Sequence, residues 1–158
     1  MKKNNTSAFN YRPIEGTSTL SLHSYGAAID VNPVQNPFVG NHGVNREKDC
    51  GFTEVWPVEG LSYLNRAHPE PGMVEPVVGI FYKHGFRDWG GYWKDPIDYH
   101  HFQLPRSLAE FLAEMSSEHA VLFFRWYVEN PEVNFSEKLR ITYKNNPAQF
   151  MRELNFAS

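Results

Sequence analysis

The stretch that most constrains this chain is SLHSYGAAID, residues 21–30. It places His23 and Asp30 seven positions apart, with Gly26 between them. An imidazole nitrogen and a carboxylate oxygen are both good zinc ligands. Gly26 permits a tight turn that most residues resist. The following run, residues 27–32, reads as a strand. Alternation puts Ala28, Asp30 and Asn32 on one face and Ala27, Ile29 and Val31 on the other. Asp30 then points into a site while its neighbours anchor the strand, and the small Ala28 keeps that face open. A lone histidine and aspartate near a turn are also common as ordinary surface residues, so this stretch needs context.

The context lies some 70 residues downstream, in Trp89-Gly90-Gly91-Tyr92-Trp93 and Asp98-Tyr99-His100-His101-Phe102. A second carboxylate there precedes a histidine by three positions, beside an aromatic, Gly-rich loop. A catalytic zinc takes three protein ligands and keeps one position open. His23, Asp30 and His101 supply three. Asp98 is left over as a carboxylate near the metal, as a general base requires.

The series S-x-H-x-x-G-x-A-x-D, W-G-G-x-W and D-x-x-H-F resembles the zinc peptidases that cut bacterial cell-wall peptides. These are the VanY-like D-alanyl-D-alanine carboxypeptidases and dipeptidases and the L-alanyl-D-glutamate endopeptidases of phage endolysins, together called LAS peptidases. The resemblance runs over roughly residues 7–104. It includes Phe9-Asn10-Tyr11-Arg12-Pro13 before the first motif, and Asn32-Pro33 and Asn36-Pro37-Phe38 after it. It implies zinc as cofactor, His23, Asp30 and His101 as its ligands, and Asp98 as the base. Many members carry Glu in the base position, and Asp98 is closer to the endolysin-type branch. The implied fold is α+β, of the Hedgehog and DD-peptidase kind: a small antiparallel sheet carrying the zinc site, with helices around it. The implied partners are peptidoglycan stem peptides, and the implied location is the cell envelope, periplasmic or secreted.

The resemblance also colours the residues around the motifs. An arginine matching Arg12 lies near the active site, where a guanidinium fork can hold a substrate carboxylate; the alternative is a solvated Arg. Ser21 is either a turn residue or a hydroxyl that contacts substrate or supports a ligand. Trp89 and Trp93 are either groove walls or core. His100 is a supporting group or a transition-state donor, and strand alternation argues that it and His101 do not both face one metal.

Length and charge narrow the field. A chain of 158 residues is one domain's worth. With 15 Lys and Arg against 18 Asp and Glu, there is no basic surface for nucleic acid. No run reaches the roughly 20 apolar residues of a membrane span, and Met1-Lys2-Lys3 leads into no apolar segment, so no signal peptide is visible. The single cysteine, Cys50, reads as a small core residue rather than a nucleophile. The 12 Phe, 8 Tyr and 4 Trp read mostly as core.

Residues 1–8 read as a frayed start and residues 9–12 as an extended entry. Residues 32–43 are a Pro-, Asn- and Gly-rich loop in which His42 is not a ligand. Residues 46–57 show no period. A short helix is expected over 59–67. A longer one spans 73–84, with Pro76 in its first turn, His84 in its last and Gly85 as its stop. Beyond residue 104 the character turns helical. Ser107 to Glu110 reads as a capping box, followed by helices over 117–129, 136–143 and 147–155, the last capped by Asn146. The expected organisation is a catalytic core over 1–104 and a helical C-terminal extension over 105–158. The extension is either a cover on the core or an added binding element.

The expected function is metal-assisted hydrolysis of an amide in a peptidoglycan stem peptide, by a carboxypeptidase or an endopeptidase. The rival is a zinc-stabilised binding module for cell wall or protein, without turnover. Asp98 speaks against the rival, since a structural zinc needs no extra acidic group. A toxin delivered to a competing cell would share the chemistry and differ in delivery.

Overall fold

A computed structural model describes residues 4–40, 54–133 and 135–154. His42 and Cys50 lie outside the described residues. The fold is α+β, built from two small antiparallel sheets and a helical C-terminal third.

The first sheet has the order β1-β6-β4, from Ala28–Asp30, His101–Gln103 and Asp88–Trp89. Its register is Ala28 to Gln103, Ile29 to Phe102 and Asp30 to His101. Residues directly opposite in an antiparallel pair share a face, so this register alone brings Asp30 beside His101. A slip of one residue would set Phe102 there instead. Phe102 is fully buried on the opposite face, between the rings of Phe81 at 4.0 Å and Trp89 at 6.1 Å. That apolar seat pins the register.

The second sheet has the order β3-β2-β5, from Glu54–Trp56, Phe38–Gly40 and Ile97–Asp98. Asp98 pairs with Phe38. The turn at Tyr99 and His100 carries the chain from this sheet into the first, so Asp98 and His101 come from different sheets.

Several local expectations are revised. Residues 32–43 are not all loop, because Phe38–Gly40 pairs on both sides. The segment from residue 4 onward is not frayed. Ser7 exchanges two backbone hydrogen bonds with Asp30, at 2.9 and 2.8 Å, covering the free edge of β1. The helix expected over 73–84 is a 3-10 turn at Glu75–Val77 followed by α1, Val78–Lys83. Gly85 ends it with a φ of 95°. The region of the helix expected at 59–67 is a 3-10 turn at Val58–Tyr63. Ser107 does not cap α2, which spans Arg106–Glu114 and starts directly after Pro105 without a side-chain cap. The remaining helices are α3 at Ser117–Glu129, α4 at Glu137–Asn145 and α5 at Pro147–Glu153. Asn146 caps α5, accepting from the Gln149 amide at 3.1 Å, with Pro147 at the first helical position where its missing N–H costs nothing.

These helices share a core with the segment that carries His23 and Asp30. Leu22, Ala27 and Ala28 are buried in one cluster with Leu108, Phe111, Phe123, Tyr143 and Phe150. Phe111 sits at its centre, with ring contacts to Phe123, Phe135, Tyr143 and Phe150. Arg106 reaches back to the Leu20 carbonyl at 2.9 Å. No helix among the described residues is long and apolar enough to cross a membrane.

Candidate metal centre

His23 lies in a 3-10 turn, Leu22–Tyr25, capped at its start by the Ser21 hydroxyl, which accepts from the His23 amide at 3.3 Å. Gly26 ends the turn in the left-handed region, φ 65°, and its N–H meets the His23 carbonyl at 3.1 Å. A residue with a Cβ would be strained there. The turn aims the His23 ring at the end of β1.

His23, Asp30 and His101 form a group whose ligand atoms all lie within 4.8 Å of one another. His23 Nε2 is 3.3 Å from Asp30 Oδ2, and His101 Nδ1 is 2.9 Å from Asp30 Oδ1. Both imidazoles are oriented from behind. His23 Nδ1 is 2.8 Å from the Ala8 carbonyl. A carbonyl only accepts, so Nδ1 donates to it and Nε2 is the nitrogen turned to Asp30. His101 is set by a longer chain. Asp88 accepts from Gln103 Nε2 at 2.6 Å and from Trp93 Nε1 at 2.8 Å. The Gln103 amide must therefore turn its oxygen to His101, and Oε1 lies 2.9 Å from His101 Nε2. That nitrogen donates, which leaves Nδ1 for the metal position.

Electrostatics match this donor set. Burial works against charge on Asp30, but hydrogen bonds with His101 and His23 hold its carboxyl well below the usual carboxylate range. Burial likewise works against a charged His101, but the bond to Asp30, the nearby carboxylates of Asp98 and Asp30 and the bond to Gln103 together raise its pKa. Two imidazole nitrogens and a carboxylate oxygen this close together are a donor set that fits a metal ion such as zinc.

Asp98 and His100 complete the centre. His100 Nε2 lies 3.0 Å from Asp98 Oδ1 and 4.0 Å from Asp30 Oδ1. His100 is buried, with Nδ1 on the Asn36 carbonyl at 2.8 Å. Both His100 and His101 reach Asp30, because strand alternation begins only at His101 and His100 sits in the preceding turn. Burial pushes the Asp98 carboxyl up from its ordinary value, and its Oδ1 is buried without a hydrogen bond.

The other anticipated residues divide. Trp93 stands at the centre, its ring 5.5 Å from that of His101. Trp89 is buried on Phe102, with Nε1 donating to the Tyr99 carbonyl at 2.8 Å. Ser21 is buried as a cap. Arg12 is exposed, its guanidinium touching only the Pro13 carbonyl at 3.4 Å among the described residues, while its backbone is tied to Ser21 and Ser24 beside the metal turn. Gln103, Asp88 and Asn36 were not anticipated as site residues. Gln103 had a signal, two positions from His101 on the same strand face. Asn36 lies in the Asn36-Pro37-Phe38 stretch of the resemblance, but its role depends on long-range contacts. Its side chain is fully buried and bonds Val31, Asn32 and Gly72 carbonyls, the Val74 amide and Arg66.

Residues 15–104 match the family model described as D-alanyl-D-alanine carboxypeptidase. The chain belongs to that family. It is therefore a member of a peptidase family, and its substrate is a peptide. The family match contains His23, Asp30, Asp98 and His101. Arg12 and the helices from α2 onward fall outside it. No curated protein and no solved structure matches the chain.

Proposed function

We propose that this protein is a zinc peptidase that hydrolyses amide bonds in peptidoglycan stem peptides, as a carboxypeptidase or an L-alanyl-D-glutamate-type endopeptidase. One observation carries the reading: His23, Asp30 and His101 converge with both imidazoles turned inward, while Asp98 stands beside them, paired with His100, as a carboxylate outside that group. A purely structural metal site gains nothing from that fourth acidic group. When bound, zinc would supply a Lewis acid and lower the pKa of a water toward about 7.

The chain's own residues do the rest. Asp98 accepts a proton from the attacking water as the new C–O bond forms. It then delivers that proton to the leaving nitrogen as the C–N bond breaks, so that a neutral amine departs. Its pKa, raised by burial, suits a group that must both take and give a proton. His100 holds Asp98 from behind, itself fixed by the Asn36 carbonyl. Trp93 forms the wall at His101, and the exposed Arg12 fork is free to bind a substrate carboxylate. A peptidoglycan substrate implies work in the cell envelope.

The test is digestion of purified peptidoglycan and synthetic stem peptides by the zinc-loaded protein, with products read by mass spectrometry. Release of a terminal D-alanine marks a carboxypeptidase, and internal cleavage marks an endopeptidase. Intact substrate alongside stoichiometric zinc at His23, Asp30 and His101 would leave a binding module and refute the catalytic reading.

A further inference from the structure

Arg87 links the C-terminal helices to the metal centre. It precedes β4 directly, and its side chain runs away from the sheet to the end of α3. Nη2 donates to the Tyr127 carbonyl at 2.6 Å and to the Asn130 carbonyl at 3.4 Å, and Nη1 donates to the Val133 carbonyl at 3.0 Å. The guanidinium carbon stands 3.9 Å over the Tyr127 ring. The last carbonyls of a helix lack intrahelical partners and form the negative end of its dipole. A planar cation with several donors satisfies both. Nε is buried without a hydrogen bond, so the group is placed by this carbonyl cluster at the expense of its own pairing. Gly85 adds a second contact: a Cβ there would meet the Phe124 ring and Val128 at 3.2 Å.

The next residue in the chain is Asp88, and it orders the centre. Its two oxygens receive Trp93 Nε1 and Gln103 Nε2, and Gln103 fixes His101. β4 has only two residues and pairs with β6 on one side, so its own ladder is a weak constraint on where Asp88 sits. The continuous path is the α3 end, Arg87, Asp88, Gln103 and His101.

We propose that Arg87 is a positioning residue through which the C-terminal end of α3 holds Asp88, and thereby His101, in place for metal binding. The inference rests on the metal-centre reading above. It makes the helices outside the family match a working part of the site.

The experiment uses the full chain with Arg87→Met, Arg87→Lys and, as control, Arg140→Met. The control cuts an ion pair between Glu114 of α2 and Arg140 of α4, away from Asp88. Two quantities are measured well below the melting temperature. One is zinc affinity by chelator competition. The other is solvent exchange of the Trp93 indole N–H by NMR in metal-free protein, which reports on Asp88 directly. Arg87→Met should weaken zinc binding by about 10–100-fold, the range for losing a ligand's outer support, and speed Trp93 exchange. Arg87→Lys should restore part of both, since one ammonium holds fewer carbonyls than the fork. Arg140→Met should lower the melting temperature and change neither quantity.

Folded Arg87→Met with wild-type affinity and exchange overturns the proposal, as does an equal effect from Arg140→Met. If Arg87→Met does not fold, Arg87→Lys decides by the same two readouts. Failure of the wild-type protein to bind zinc would instead refute the metal-centre reading, and Trp93 exchange would still decide whether Arg87 holds Asp88.

Discussion

His100 Nε2 stands 3.0 Å from Asp98 Oδ1 while its Nδ1 is committed to the carbonyl of Asn36. The Asp98–His100 pair is thus anchored on the backbone of a distant loop. Burial disfavours the charged form of the Asp98 carboxyl and raises its pKa. An acid whose folded pKa lies above its unfolded value stabilises the fold only while protonated, and that contribution is lost as pH rises through the folded value. At neutral pH an ionised Asp98 is therefore a burden on the metal-free fold.

Asp98→Asn should remove that burden along with the base. The metal-free variant should melt no lower than wild type at neutral pH and should keep its zinc. Turnover on a confirmed stem peptide should fall by about 10²–10⁴-fold, toward the upper end because Asp98 acts in both half-steps. In the wild type, the acid limb of the kcat/KM profile should lie above the ordinary aspartate value of about 3.9. Loss of zinc from Asp98→Asn would make Asp98 a ligand and exchange its role with Asp30.

Gln103→Leu tests the outer support of His101. The change keeps similar bulk and removes both the acceptor for His101 Nε2 and the donor to Asp88. Zinc affinity should drop by about 10–100-fold, measured by chelator competition. An unchanged affinity would mean that the Asp30 contact alone orients the ring.

Gly90→Ala probes the close approach of the Gly-rich loop to the base. A Cβ at Gly90 would press on the Asp98 carbonyl and lie 2.9 Å from the Asp98 Cβ, so Asp98 has to move. Misplacement of a reacting group by about 1 Å can cost 10²-fold in rate. Steady-state kinetics should show that loss in kcat, with zinc content retained. Wild-type kcat would show that the loop yields instead of Asp98.

Phe111→Ala asks whether the C-terminal helices and the metal motif fold as one unit. Phe111 is fully buried in the cluster that includes Leu22 and Ala28. Truncating a buried Phe costs about 3–5 kcal/mol. Urea unfolding should remain a single transition at lower midpoint, whether followed by helix signal or by metal release. Two separated transitions would divide the chain near residue 104.

The local sequence determined the donor types, their spacing and the short turns that carry them. His23 and Asp30 flank a glycine that must turn, and His101 and Gln103 share a strand face because side chains alternate. Such features depend on near neighbours, so they are readable from one chain. The assembly depended on long-range pairing. Only the register of β1 against β6 sets Asp30 opposite His101, and only the turn between the two sheets brings both His100 and His101 to Asp30 against the alternation rule. The Ala8 carbonyl behind His23, Asn36 behind His100 and the α3 carbonyls behind Arg87 are likewise tertiary. Backbone carbonyls are present at every residue and carry no sequence signal, so which of them orients a side chain is decided when distant segments pack together.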